Sequence, residues 1–270
     1  MAAGAAHLRL FDAGEEGGDG LADRLFAAEI LRPLPRRLDP MPPGSLPWYL
    51  AAERLRYERQ GAWLPALLEF DRHGGDRVLG IGGGLGTDWV RYAGHGAEVS
   101  VACPVAAELD LVRGNFALRR LQARCEQSPP TALPFGTGSM DVAVIAAPLS
   151  SAVVEEAWRV LKPGGKVLAL APATGTVDGW MRWLPGSRSI VHLPEGLLAR
   201  EARRWRAREL RELFGRFAEP TVSQRHLRRA ELPAMLRLAP LFLMERVAGR
   251  LLAFKGFKPL SAAHAEQAAA

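Results

Sequence analysis

Cysteine is scarce: Cys103 and Cys125 are the only two among 270 residues. Two thiols cannot build a disulfide framework or a cysteine-rich metal site, and no other metal-ligand spacing occurs. Lysine is also rare, at positions 162, 166, 255 and 258 only, so arginine supplies nearly all of the 35 basic residues. Long apolar runs are missing as well. Every hydrophobic segment is cut by Arg, Gly or Pro short of the ~20 residues a membrane helix needs, and no membrane partner is expected. The opening MAAGAAHLRLFDAGEEGGDG has neither a basic start nor an uninterrupted apolar stretch. That argues against a secretory signal and makes a cytoplasmic location the expectation.

What remains is ordinary globular composition. Hydrophobic residues at 48% and charged residues at 24% exclude disorder throughout, and the length suffices for a sizeable core. The pI is about 9.9, yet the net charge is only +6. An Arg and Ala bias of this kind reflects a GC-rich genome as readily as a function, so nucleic acid is not the expected partner. Charge is concentrated once, in Arg200–Arg229, with ten Arg against four Glu. In a helical reading Glu212 pairs with Arg208 and Arg216 one turn away on either side. The rest reads as a solvated face, with a phosphate group or an acidic protein partner as the alternative.

Residues 1–46 read as an extension carrying one helical piece, LADRLFAAEILR. From Pro47, apolar spacing predicts a helix, a break near Gly61 and a second helix. The middle alternates. RVLGI (77–81), EVSVAC (98–103), DVAVIAA (141–147) and KVLALAP (166–172) read as buried strands, with a weaker one near 123–128. TDWVRYAGHG, VAAELDLVRGNFALRRL and SAVVEEAWRVL read as the helices between them. Unbroken apolar strands alternating with helices predict an α/β fold, a doubly wound, mostly parallel sheet with helices on both faces. Beyond Pro172 come a looser stretch, a charged helix over 197–217, a strand TVSQRHL, an apolar helix over 233–249, a last strand RLLAFKGF, and a frayed tail from 259.

VLGIGGGLGTDW sits where the first strand turns into the first core helix. Gly82, Gly84 and Gly86 let the backbone turn tightly and approach a nucleotide-like ligand. Four segments together carry a family resemblance: VLGIGGGLGTD (78–88), GAEVSVAC (96–103), ALPFGTGSMDVAV (132–144) and EAWRVLKPGGKVLAL (156–170). Residues 77–172 resemble the class I S-adenosylmethionine-dependent methyltransferases, in particular the small-molecule group called type 11, and the likeness extends over about 47–258.

The resemblance implies a Rossmann-like core (76–174), an acceptor lid (175–200) and C-terminal elements (201–258). It implies S-adenosylmethionine as cofactor and a small-molecule acceptor. Gly82, Gly84 and Gly86 would turn under the methionine part, and Thr87 and Asp88 would cap the helix or touch the methionine end. Cys103 stands at the ribose position, while Ala132 and Leu133 would flank adenine. Three residues depart from the pattern. Gly80, Cys103 and Pro129 stand where the family has acids for the amino group, the ribose and the adenine side. Glu98, Glu108 and Glu126 lie close by, but their register points to solvent or helix surface. No catalytic base is evident: His73, His95, His192 and His226 read as ordinary solvated histidines, His192 being closest to the lid with Trp180 and Trp183. Two functions therefore stand beside each other, an active methyltransferase and a degenerate non-catalytic subunit with a protein partner. A dinucleotide oxidoreductase is disfavoured by RVLKPGG and by the missing ribose acid.

Overall fold

The computed structural model describes residues 18–29, 41–60, 62–174, 203–227, 229, 232 and 236–260. Its helices are α1 (Gly18–Glu29), α2 (Leu46–Arg54), α3 (Leu64–Leu68), α4 (Thr87–Gly94), α5 (Ala106–Leu118), α6 (Ser151–Val160), α7 (Ala207–Leu213) and α8 (Leu241–Ala248). A π-helical turn, Leu55–Gln60, continues α2. The strands are β1 (Arg77–Ile81), β2 (Glu98–Cys103), β3 (Arg124–Gln127), β4 (Met140–Ile145), β5 (Leu161–Pro172), β6 (Ala218–Arg225) and β7 (Leu251–Phe257). They form one sheet in the order β3-β2-β1-β4-β5-β7-β6. The first five are parallel, and β7 runs antiparallel to both β5 and β6.

Side chains alternate across each strand, so β1 serves two cores. Leu79 and Ile81 join Ala143, Ile145 and Val167 under α6 and α7, with Val153, Ala157, Leu210 and Phe214. Val78 faces the other way with Val99, Val101 and Val142, against Trp89 and Val90 of α4 and Leu109 and Val112 of α5. Each fully buried aliphatic or aromatic side chain contributes about 1.5–3 kcal/mol, so both faces hold the sheet. The Ser150 hydroxyl accepts the Val153 N–H at 3.3 Å and starts α6. Strand order reverses between β1 and β4, which leaves a crevice at their C-terminal ends where ligands of such sheets bind.

A charged lock closes the opposite side of the sheet. Glu69, in a left-handed conformation at the end of α3, accepts from Lys166 at 2.6 Å and from Lys255 at 3.0 Å. Burial alone would raise the Glu69 carboxyl, but the two lysines outweigh it and hold it down to about 2. Lys166 Nζ also lies 2.8 Å from His73 Nε2, and His73 Nδ1 lies 2.8 Å from Asp76.

The first helical piece packs on the rest of the protein. Ala22, Leu25 and Phe26 of α1 meet Trp48, Tyr49, Ala52 and Leu85. Two helices differ from expectation. The helix expected over 197–217 spans only Ala207–Leu213 in its described part, because Trp205 is buried and bonds in extended form to Pro172 and Thr174. The Arg208–Glu212 pair is present at 2.8 Å on an exposed face. Arg216 lies past the end of the helix and sits over the Trp158 ring instead, 4.5 Å from its centre. The apolar helix expected over 233–249 is Leu241–Ala248 in its described part. Gly61, the lid at 175–200 with Trp180, Trp183 and His192, and the tail beyond 260 lie outside the described residues.

Candidate functional site

β1 ends at Ile81 and the chain turns through Gly82–Gly86 into α4. Gly82 (φ 118°) and Gly84 (φ 57°) adopt a left-handed backbone that side chains disfavour. The backbone of this loop is held by four side chains from elsewhere in the chain. Trp89 Nε1 donates to Gly83 O at 3.1 Å, and Asn115 Nδ2 donates to Leu85 O at 2.9 Å. The Gly84 N–H donates to Glu108 Oε2 at 3.1 Å, and the Leu85 N–H to Glu29 Oε2 at 3.4 Å.

Glu108 corrects the sequence reading. It belongs to the first turn of α5, yet it is buried and turned toward the loop rather than toward solvent. Its Oε2 also lies 3.4 Å from Cys103 Sγ, at the end of β2. A buried acid therefore stands beside Cys103, supplied from five residues further along. Burial pushes the Glu108 carboxyl up, against the loop N–H groups and the thiol that favour its charge. Burial likewise pushes the Cys103 thiol up to about 12, and the Glu108 charge adds to this. Glu98 is exposed, as expected.

Gly80 has a structural cause. A Cβ there would stand 2.7–2.8 Å from three atoms of the Trp89 ring. The indole fills the space that an acidic side chain at position 80 would need, and its N–H serves the loop.

Asp88 is committed to another task. Arg56, from the π-helical turn, grips it with two hydrogen bonds, Nε to Oδ1 at 2.9 Å and a terminal nitrogen to Oδ2 at 2.6 Å. The Tyr57 hydroxyl donates to the same carboxylate. Arg56 reaches Glu29 as well, with Nε 3.8 Å from Oε1 and a donation to the Glu29 carbonyl at 2.6 Å. Burial raises the Glu29 carboxyl, Arg56 pulls it down, and Asp88 pushes it up again; the balance is upward. Neither Thr87 nor Asp88 caps α4, whose N-cap is Gly86 with no side-chain cap. The buried Thr87 hydroxyl faces the Glu29 carboxyl without completing a hydrogen bond.

Leu133 is buried in the same cluster as Ile81 and Ala102, whereas Ala132 is exposed. Their segment is clamped from α6. Glu156 accepts the Leu133 N–H at 2.8 Å, and Arg159 donates to the carbonyls of Leu133 and Phe135. His73 and His226 are buried rather than solvated, and His95 is exposed. Among the described residues no group of three or more His, Cys, Asp or Glu is arranged to hold a metal ion. An open cleft of about 630 Å³ lies at the opposite end of the strands, lined by Arg77, Glu98, Arg124 and Phe135 among others, and contains none of these site residues.

The family model described as a methyltransferase domain matches residues 78–169, from β1 to within β5. Over this stretch the chain is similar to methyltransferase domains. The sheet has the class I methyltransferase fold, and the glycine loop sits at its crevice. The chain is similar to geranyl diphosphate C-methyltransferase from Streptomyces coelicolor A3(2), solved with Mg2+, geranyl diphosphate and S-adenosyl-L-homocysteine. Identity is 14%, 90% of this chain and 98% of that one are covered, and the TM-score is 0.54. It is also similar to a chain of the complex between the Haloferax volcanii Trm112 methyltransferase activator and the putative methyltransferase, with 18% identity, 79% and 96% coverage and a TM-score of 0.52. A putative methyltransferase from Bacillus halodurans C-125 gives 18% identity, 74% and 100% coverage and a TM-score of 0.50. At such identities these likenesses speak for the fold. No curated protein sequence matches the chain. Among the described residues no helix is long and apolar enough to cross a membrane.

Glu29, Arg56, Trp89 and Asn115 escaped the sequence reading, and Glu108 was named but read as facing solvent or helix surface. Two of them, Glu108 and Asn115, had left a signal. Glu108, Val112, Asn115 and Phe116 lie on one buried stripe of α5, and the 3–4 residue spacing of a helix face puts both polar residues on it.

Proposed function

We propose that this protein transfers a methyl group from S-adenosylmethionine to a small molecule, with the cofactor held at the glycine loop and Glu108 replacing the acid missing at the end of β2. The observation that carries this reading is the buried Glu108 carboxylate, fixed by the Gly84 N–H beside Cys103. The residues present suit the ribose end of the cofactor: a buried acceptor with a raised carboxyl, next to a loop whose missing Cβ atoms let polar groups come close to the backbone. At Gly83 and Gly84 a Cβ would come within 2.9 Å of carboxylate oxygens. The position of the amino-group acid does not fit in the same way, since Trp89 fills it.

When bound, S-adenosylmethionine supplies an electrophilic methyl group for an in-line displacement, a reaction that depends chiefly on positioning. Glu108 would accept the ribose hydroxyls and Gly82 and Gly84 would let the ligand approach the backbone, while the Glu156–Arg159 clamp fixes the Ala132–Leu133 side. Cys103 stays a thiol at neutral pH, so the most nucleophilic atom near the donor is silenced. A small-molecule acceptor agrees with the similarity to a methyltransferase solved with geranyl diphosphate. A protein activator, like that of the Haloferax complex, is the partner class to seek by pull-down.

The test is calorimetric titration of the full chain with S-adenosylhomocysteine. We expect micromolar binding, weakened roughly tenfold to a hundredfold by E108Q, because hydrogen bonds to a charged acceptor contribute about 1.5–3 kcal/mol. Melting temperature should hold or rise in that variant, since Gln still accepts the Gly84 N–H without a buried charge. No binding at millimolar ligand would overturn the reading and leave the non-catalytic subunit in its place.

A further inference from the structure

The glycine loop already holds a carboxylate that belongs to the chain itself. Glu29 is the last described residue of α1, and its Oε2 lies 3.4 Å from the Leu85 N–H. The same oxygen stands 2.9 Å from where a Cβ on Gly84 would be, so it fills the space that the glycine opens. Its other oxygen faces Arg56 at 3.8 Å. Arg56 is anchored by its two bonds to Asp88 and its donation to the Glu29 carbonyl, none of which uses the Glu29 carboxyl. The backbone N–H and the guanidinium thus form a ready-made carboxylate receptor, and Glu29 is its present occupant.

Resting on the cofactor reading above, we infer that Glu29 competes for the position that receives the carboxylate of the cofactor's amino-acid end, and that α1 releases it when the cofactor binds. The helix is held by a small apolar contact, Ala22, Leu25 and Phe26 against Trp48, Tyr49, Ala52 and Leu85, with Phe26 and Trp48 rings 5.3 Å apart. A ligand with an amino-acid end meets this competitor. One without it does not.

The experiment titrates wild type, E29A and E29Q with S-adenosylhomocysteine and with 5′-methylthioadenosine, which lacks the amino-acid end. Hydrogen exchange of residues 18–29 is followed in the wild type with each ligand. E29A is expected to bind S-adenosylhomocysteine about tenfold more tightly, the scale of one charge-assisted contact, with methylthioadenosine unchanged. Exchange in α1 should quicken with S-adenosylhomocysteine only. E29Q keeps the side-chain length, so it carries the test if E29A loses its fold. Tightening seen equally for both ligands, unchanged or weakened S-adenosylhomocysteine binding in the variants, or α1 exchange indifferent to the ligand would overturn the inference while leaving the cofactor reading intact. If no protein binds either ligand, both readings fall together.

Discussion

Replacing Gly80 with alanine tests whether the absent acid reflects a filled space or simple loss. The added Cβ would lie 2.7–2.8 Å from the Trp89 ring, inside the ~3.5 Å of favourable carbon contact. Trp89 is 2% exposed and hydrogen-bonded through Nε1 to Gly83 O, so the ring has little room to retreat. Overpacking costs about 1–3 kcal/mol, and loss of the indole bond about 1 kcal/mol. Alanine regains roughly 0.5–1 kcal/mol in a strand, which leaves a net loss of about 1–3 kcal/mol. At roughly 2–4 °C per kcal/mol for a chain of this size, the melting temperature should fall by about 2–12 °C. Circular dichroism melts of wild type, G80A, W89L and the double variant form a cycle. The alanine should cost clearly less in the W89L background, with a coupling of about 1 kcal/mol or more. A G80A protein that melts at or above the wild-type temperature, or a cycle that is strictly additive, would refute the steric argument.

Arg56→Met should strand the buried Asp88 carboxylate and cost about 3–5 kcal/mol in urea unfolding; a loss below about 1 kcal/mol would show that the pair holds little together. For Glu69, the folded carboxyl is depressed to about 2 from its usual 4.5. Its contribution is therefore present above pH ~4.5 and lost as the pH falls toward 2. K166M should shift the acid-unfolding midpoint upward, and an unchanged midpoint would discount the lock. With the Cys103 thiol raised to about 12 and buried, and Cys125 half-buried, a thiol reagent at pH 8 should modify Cys125 first and Cys103 only on unfolding. Equal rates would contradict the Cys103 environment.

The core was legible because its signals are local. RVLGI and EVSVAC are short, largely apolar runs that stop at Gly82 and Pro104, and β1 and β2 have those bounds. Ser150 marks the start of α6 in the same way. The charged helix was read too long because the Arg pattern continues through Trp205, while the burial of that tryptophan against Ala173 is a tertiary event. The site was legible only in its loop. Gly80 and Cys103 showed what was missing, but the replacements come from 9 residues on for Trp89, 5 on for Glu108, and a different helix for Glu29. Chain positions so separated meet only once the sheet and its helices are packed, and the one sequence mark of a buried Glu108 is its place on the apolar stripe of α5.

The strand order also fixes when the protein can be finished. β7 lies between β5 and β6, yet it is the last of the described strands in chain order, with Phe257 lying 85 residues after Pro172. At 5–20 residues per second, the growing chain waits on the order of 10 s between completing β5 and completing its neighbour. Throughout that interval the apolar edge KVLALAP has unsatisfied backbone groups open to any passing strand. The central parallel strands can assemble on the ribosome, but the sheet closes only when the far end of the chain arrives to be threaded into the middle.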